Sequence, residues 1–162
     1  MKVYAYTNAK LLKQSPFLES YQNTLSEMLE GKQIDIEWYF NYLPGSVVFM
    51  TEDNNVITSI CVVSAAQNYE FPISEIEVSD ASTYMITSVY TKLSHRKKGH
   101  AKKMIQSVIK YYPRLVLETY AHWVPAMTLY LSTGFKPTDT KKSDIGHIIL
   151  FKHGDISAGY KN

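Results

Sequence analysis

Apolar residues recur along this chain with two periods, two and about 3.6, and the switches between them order its elements. Residues 2–6 alternate as a first strand. Ser15 and Pro16 read as the N-cap and first position of a helix with Phe17, Leu18, Tyr21, Leu25, Met28 and Leu29 on one face and Gly31 as its stop. Residues 34–43 are aromatic and fit two patterns: an alternating strand through Ile34, Ile36 and Trp38, or a short helix bearing Trp38, Tyr39 and Tyr42. They read as core packing or as a wall of an acceptor site. Residues 46–51 and 56–66 are strand-like, and Glu52-Asp53-Asn54-Asn55 between them signals a hairpin.

Residues 67–80 are polar and acidic around Phe71-Pro72 and read as a loop with solvated Glu70, Glu75 and Glu77. A β-rich run over 82–91 then breaks into a basic turn at 94–98. From Gly99 the set Ala101, Met104, Ile105, Val108, Ile109 and Tyr112 has helical spacing, and Pro113 stops it. Residues 114–120 form the next strand, and a helix runs from about Pro125 to a stop at Gly134. Two strands follow over 135–140 and 147–151, with a turn around Asp144-Ile145-Gly146. The last ten residues have little to bury and read as a flexible tail, so the domain is placed at 1–152 and the tail at 153–162. The order β α (α) β β β α β α β β describes a mixed sheet with helices on its faces.

The chain of 162 residues, 45% hydrophobic and 20% charged, suits one globular domain. Its net charge of +2 supplies no global field for nucleic acid, yet Arg96, Lys97 and Lys98 with Lys102 and Lys103 form a local basic cluster. The single Cys61 excludes an intrachain disulfide, cannot alone make a metal site, and lies in an apolar run as inert core. No stretch of about 18 apolar residues occurs and the first 30 residues carry no apolar leader. The expectation is a soluble, cytoplasmic protein with no metal and no membrane partner.

Candidate chemistry begins where the strand, basic turn and helix meet. The first N–H groups of a helix have no intrahelical partner and carry about half a positive charge, which suits a phosphate. Gly99 permits close backbone approach there. Neither G-x-x-x-x-G-K-S/T nor G-x-G-x-x-G can be written across a segment with one glycine, which excludes both nucleotide loops. What can be written is R-x-x-G-x-A, Arg96 to Ala101. Further on stands A-x-x-L-Y-x-x-x-G-F, with Ala126, Leu129, Tyr130, Gly134 and Phe135.

The first motif resembles the coenzyme A pyrophosphate loop, Q/R-x-x-G-x-G/A, of the GNAT superfamily of N-acetyltransferases, and the second resembles that superfamily's other hallmark, in the same order. The resemblance covers about residues 82–151. It implies a single-domain α/β (α+β) fold: a mixed, mostly antiparallel sheet, helices on both faces, and a central parallel pair, 82–91 and 114–120, that splays around the pantetheine arm of acetyl-CoA. It implies that main-chain groups of Val89, Tyr90 and Thr91 bind that arm and the thioester carbonyl, with a backbone N–H near Thr91 for the oxyanion. Arg96, Lys97, Lys98, Gly99, His100, Ala101 and Lys102 would hold the pyrophosphate.

Tyr130 stands where the family places the acid that protonates the departing thiolate; a tyrosine, with an ordinary pKa of about 10, keeps its proton at neutral pH. Residues 82–92 carry no carboxylate, a departure from histone-type members. Glu118 is the substitute base, in L-E-T where the ribosomal-protein N-terminal acetyltransferase branch reads L-E-V, and a carboxylate in an apolar strand is costly unless paired or at a site. His122 is the alternative base. Trp123 replaces an asparagine that touches coenzyme A in many members. The function so implied is acetyl transfer from acetyl-CoA to a primary amine of unknown identity in a ternary complex, with a non-catalytic acyl-CoA- or partner-binding module as the alternative. Oligomeric state is open, a homodimer included.

Overall fold

The computed structural model describes residues 1–33, 35–42, 45–68 and 76–161. The chain forms two compact units, Met1–Ser64 with Ile86–Val108, and Ala65–Met85 with Ile109–Asn162. Strand β5 (Tyr84–Thr91) contributes to both. Seven strands form one sheet in the order β1-β2-β3-β5-β6-β8-β7, and β4 and β9 form a second, two-stranded sheet.

In the first unit β1 (Lys2–Tyr6), β2 (Val47–Asp53) and β3 (Val56–Ala65) form an antiparallel meander. Its β2–β3 turn has Asn54 and Asn55 both left-handed (φ 51° and 65°), the geometry of the tight hairpin that the acidic-asparagine run signalled. Helix α1 (Ala9–Lys13) goes unannounced by periodicity because five residues are too few; Asn8 caps it, its Oδ1 accepting from Leu11 N–H at 2.9 Å. Helix α2 (Leu18–Met28) begins later than Ser15-Pro16 suggested. The Ser15 hydroxyl accepts from Phe17 N–H at 3.1 Å and pairs with the Tyr6 hydroxyl at 2.7 Å, so it closes a turn before the helix.

Helix α2 buries Tyr21 and Leu25 against Leu12, Val48, Met50 and Ile60, each worth about 1.5–3 kcal/mol as a fully buried side chain. Two polar links fix its height: the Ser20 hydroxyl accepts from Ile57 N–H at 2.8 Å, and the Thr24 hydroxyl donates to the Ile57 carbonyl at 2.5 Å. The ambiguous aromatic segment is helical, α3 (Glu37–Tyr42), with the Asp35 carboxylate accepting from Glu37 N–H at 3.1 Å; Ile34 lies outside the described residues. Cys61 is buried, and burial pushes its thiol pKa far up, as inert core requires.

In the second unit β5 starts parallel to β6 (Leu115–Tyr120), with Tyr84 opposite Leu115 and Met85 opposite Val116. Strand β8 (His147–His153) pairs antiparallel with both β6 and β7 (Lys136–Lys142). Helix α4 (His100–Tyr111) ends in this unit, and α5 (Val124–Ser132) lies within it. Among the described residues no helix is long and apolar enough to cross a membrane.

Two expectations differ from the structure. Residues 67–80 are not loop throughout: β4 (Ile76–Val78) is a strand, while Glu70 and Glu75 lie outside the described residues. Nor is the chain's end a free tail. Residues Ala158–Tyr160 form β9, antiparallel to β4, with Ile76 opposite Tyr160 and Val78 opposite Ala158. Three-residue strands are too short to show alternation, and the apolar cluster of Met85, Val116 and Leu150 against which Tyr160, Ala158 and Ile76 pack is assembled from remote positions. Gly154 turns the chain from β8 toward β9 at φ 87°, and a Cβ there would lie 2.6 Å from the Pro113 carbonyl oxygen. Gly154→Ala combines a left-handed backbone with a backbone clash and is expected to cost about 2 kcal/mol, read as a lower urea midpoint at unchanged slope.

Candidate active site

The turn that carries the basic cluster is pinned at both ends to one residue. Strands β2 and β3 lose register between Thr51 and Glu52: Thr51 faces Ser59 and Glu52 faces Ile57, which leaves Thr58 without an opposite residue in the ladder. Its carbonyl accepts from Lys92 N–H at 2.8 Å, and its hydroxyl lies 2.8 Å from His100 Nδ1. The Thr51 hydroxyl adds a bond to the His100 carbonyl at 3.3 Å. Between these anchors Lys97 (φ 62°) and Gly99 (φ 84°) are both left-handed, and Lys103 N–H closes the first helical bond onto the Gly99 carbonyl at 3.1 Å. A Cβ on Gly99 would meet nothing within 4 Å, so glycine is favoured there by its backbone angle and not by crowding.

Arg96, Lys97, Lys98 and Lys102 are exposed around this helix start. Arg96 is already engaged: its Nε donates to the Thr91 carbonyl at 3.0 Å, and its guanidinium lies 5.3 Å from the centre of the Tyr90 ring. Lys98 donates to the Ser94 carbonyl at 3.3 Å. His100 differs from its expected role. Its side chain is 3% exposed and bound to Thr58, so it offers the turn its main chain and not its imidazole. Burial, then the neighbouring His95, hold that imidazole below its ordinary pKa, the neutral form suited to an interior.

Two features of this region carry no sequence signal. Ser88, in the middle of β5, has φ 55°, a sparsely populated conformation for a non-glycine residue, within the strand just before Val89, Tyr90 and Thr91. Glu27, on α2, accepts from the Tyr90 hydroxyl at 2.8 Å and from Leu93 N–H at 3.1 Å. Partial burial opposes its charge, but those two bonds and the charges of Lys92 and Arg96 outweigh it, and its pKa falls below the ordinary carboxylate value. Glu27 thus fixes the end of β5 and the start of the turn together. On sequence it is one polar residue on an amphipathic helix.

In the second unit the L-Y-x-x-x-G-F motif has a mechanical meaning. Helix α5 ends at Thr133, Gly134 is left-handed (φ 94°), Phe135 N–H bonds the Tyr130 carbonyl at 3.1 Å, and Gly134 N–H bonds the Leu131 carbonyl at 3.3 Å. That is a Schellman end, in which the residue after the glycine packs on the residue three positions before the cap. Here those two are Phe135 and Tyr130, with ring centres 6.0 Å apart; Phe151 lies 5.9 Å from Tyr130 on another side. Tyr130 is 5% exposed, so its ring orientation is set by packing.

Glu118 lies on β6 opposite Leu150 of β8, whereas its neighbour Leu117 lies opposite Phe151. Successive residues of a strand face opposite sides, so Glu118 shares a face with Leu150, and Tyr130 packs on the other face through Phe151. The Tyr160 hydroxyl donates to Glu118 Oε2 at 2.9 Å. His122 is exposed beside Tyr120 and Trp123, with ring centres 5.4 and 6.1 Å away, and Trp123 is 51% exposed.

Crystal structures resemble this fold along nearly its whole length. The ribosomal-protein-S18-alanine N-acetyltransferase of Escherichia coli matches with a TM-score of 0.63 at 10% identity, over 94% of this chain and 93% of that one. A GNAT family acetyltransferase from Elizabethkingia anophelis with acetyl-CoA bound matches at 0.60 and 18%, over 94% and 96%. NAA60 of Arabidopsis thaliana in complex with a bisubstrate analogue matches at 0.59 and 18%, over 94% and 97%. No curated protein matches the sequence. At these identities the structural likeness is one of fold; membership rests on the model of the acetyltransferase (GNAT) family, which matches residues 13–135, so the chain belongs to that family.

Proposed function

We propose that this chain is an acetyl-CoA-dependent N-acetyltransferase acting on a primary amine by direct attack in a ternary complex. The observation that carries the reading is the 92–100 turn: a basic, doubly left-handed turn opening a twelve-residue helix and pinned at both ends by Thr58. The main-chain N–H groups of Gly99, His100 and Ala101 with Lys97, Lys98 and Lys102 are suited to the pyrophosphate of coenzyme A. Bound acetyl-CoA supplies a thioester that gives up its acetyl group. Main-chain groups of Val89, Tyr90 and Thr91 bind the pantetheine arm and the thioester carbonyl. The amine nitrogen forms the new amide bond to the acetyl carbon while the carbon–sulfur bond breaks. Glu118 takes the amine proton, and the Tyr130 hydroxyl gives a proton to the departing sulfur. The acceptor is a primary amine, and the fold-level likeness to the S18-alanine enzyme makes peptide α-amines the first class to screen.

Gly99→Asp places a carboxylate in the phosphate position, and Asp tolerates the left-handed angle better than most residues. Acetyl-CoA affinity by calorimetry is expected to fall at least tenfold with the circular dichroism spectrum unchanged; equal affinity rejects the turn as the pyrophosphate site. Tyr130→Phe keeps the ring between Phe135 and Phe151, so turnover is expected to fall on the order of a hundredfold with cofactor affinity little altered, and wild-type turnover would make the tyrosine core only.

Glu118→Gln is expected to separate acceptor classes. An α-amine, with a pKa near 8, is partly neutral at physiological pH, whereas a lysine, near 10.4, depends more on a base. The rate deficit at pH 7 should be larger for lysine acceptors and should shrink as pH rises toward the amine's own pKa. A variant equal to wild type at pH 7 with the preferred acceptor would pass the role to His122 or solvent.

A further inference from the structure

We propose that Tyr160, on the last strand, is a positioning residue for the base: its hydroxyl orients the Glu118 carboxylate and keeps it ionised, which makes β9 part of the catalytic apparatus. The inference rests on the reading of Glu118 as the proton acceptor. Its geometric basis is the 2.9 Å bond from the Tyr160 hydroxyl to Glu118 Oε2, a contact 42 residues apart in sequence. The ring of Tyr160 belongs to the apolar cluster of Met85, Val116 and Leu150. A phenylalanine would satisfy that packing, so the bond to Glu118 is what the hydroxyl adds. A carboxylate has acceptor capacity on both oxygens, and a donor on Oε2 does not exhaust it.

Several features converge on the placement of this one hydroxyl. Tyr160 faces Ile76 in the β4–β9 ladder, and Gly159 faces Glu77. A Cβ on Gly159 would lie 2.9 Å from Asp139 Oδ2, so a larger residue there would push that carboxylate aside. The charged and titratable groups around Glu118 explain why a donor matters. Across the sheet the row runs Glu118, Leu150, Asp139, which puts a second carboxylate two strands away on the same face. The directly opposite residue is apolar, and Glu77 of β4 is exposed. The Tyr160 hydroxyl donates to the Glu118 carboxylate, and a hydrogen bond donated to a charged acid favours its charged form. Burial first, then the charge and hydrogen bond of Glu118 and the charge of Asp139, push the Tyr160 pKa far up, so it remains a donor throughout the working range.

The test is Tyr160→Phe in the full chain. Turnover with a primary-amine acceptor at pH 6 is expected to fall about tenfold, the worth of one hydrogen bond to a charged group. The acid limb of the rate profile should move to higher pH, the deficit should vanish above pH 8, and KM for acetyl-CoA should be unchanged. Titration of the Glu118 carboxyl carbon by NMR, assigned through its loss in Glu118→Gln, should show its midpoint displaced upward in Tyr160→Phe. A superimposable pH profile and carboxyl titration overturn the inference, as does a loss of rate equal at every pH, which reports packing. Absence of turnover in the wild type would refute the N-acetyltransferase reading instead, and the carboxyl titration, which needs no substrate, still decides whether Tyr160 controls Glu118.

Discussion

The displaced register at Thr58 is the constraint on which the basic 92–100 turn depends. The pairing skips Thr58, and its carbonyl accepts from Lys92 N–H while its hydroxyl meets His100 Nδ1, the two ends of a nine-residue turn. The left-handed residues between, Lys97 and Gly99, are conformations that would be costly in a floppy loop, of order 1–2 kcal/mol for the non-glycine. They persist because the ends are fixed. Ile57, the neighbour of Thr58, lies against α2, where the Ser20 hydroxyl accepts from its N–H and the Thr24 hydroxyl donates to its carbonyl. The β2–β3 hairpin thus seats both the helix that carries Glu27 and the helix that the basic turn opens.

A different constraint shapes the second unit, where a carboxylate sits mid-strand between the buried Leu117 and Thr119. A charge so placed needs hydrogen-bond donors, and one of them, the Tyr160 hydroxyl, comes from β9. Arg114, at the threshold of β6, helps bring that end home. Its Nε and Nη2 donate to the Asp155 carbonyl at 3.1 and 2.8 Å, while its Nη1 meets Asp80 Oδ2 at 2.6 Å. Both groups are substantially exposed, so the ion pair adds little stability. Its value is geometric: one planar group joins the segment entering β9 to the segment entering β5.

Regular elements with a long repeat were legible before the structure: β1, the β2–β3 hairpin, β5, α4, β6, α5, β7 and β8 all fall where the periodicity places them. What escaped was short or non-local. Helix α1 has five residues, β4 and β9 three each, and no period can be read from so few. Among site residues, Gly99 and Gly134 were visible because glycine advertises a left-handed angle. Ser88 and Lys97 adopt the same angle without advertising it. Glu27 and Tyr160 were invisible for another reason: each acts through a contact dozens of residues away, and nothing in their own neighbourhoods distinguishes them from surface or tail. His100 shows the converse error, since a histidine in a basic turn looks like an anion ligand until burial against Thr58 removes its ring.

The engagement of Arg96 alters how the basic turn has to work. Its Nε is committed to the Thr91 carbonyl and its guanidinium plane to Tyr90, while Tyr90 in turn donates to Glu27. The arginine that heads the motif is therefore first a brace, holding the end of β5 to the turn by a chain that runs Glu27, Tyr90, Arg96, Thr91. Its Nε is thereby withdrawn from any ligand, which leaves only the terminal nitrogens of the group. A lysine at 96 would keep the charge but lose the planar stacking and the bond from Nε, so the two are not equivalent here. Positive charge beside the turn and rigidity of the strand end are thus supplied by one side chain, and under the proposed function the binding of acetyl-CoA is mechanically tied to the main chain proposed to receive its thioester.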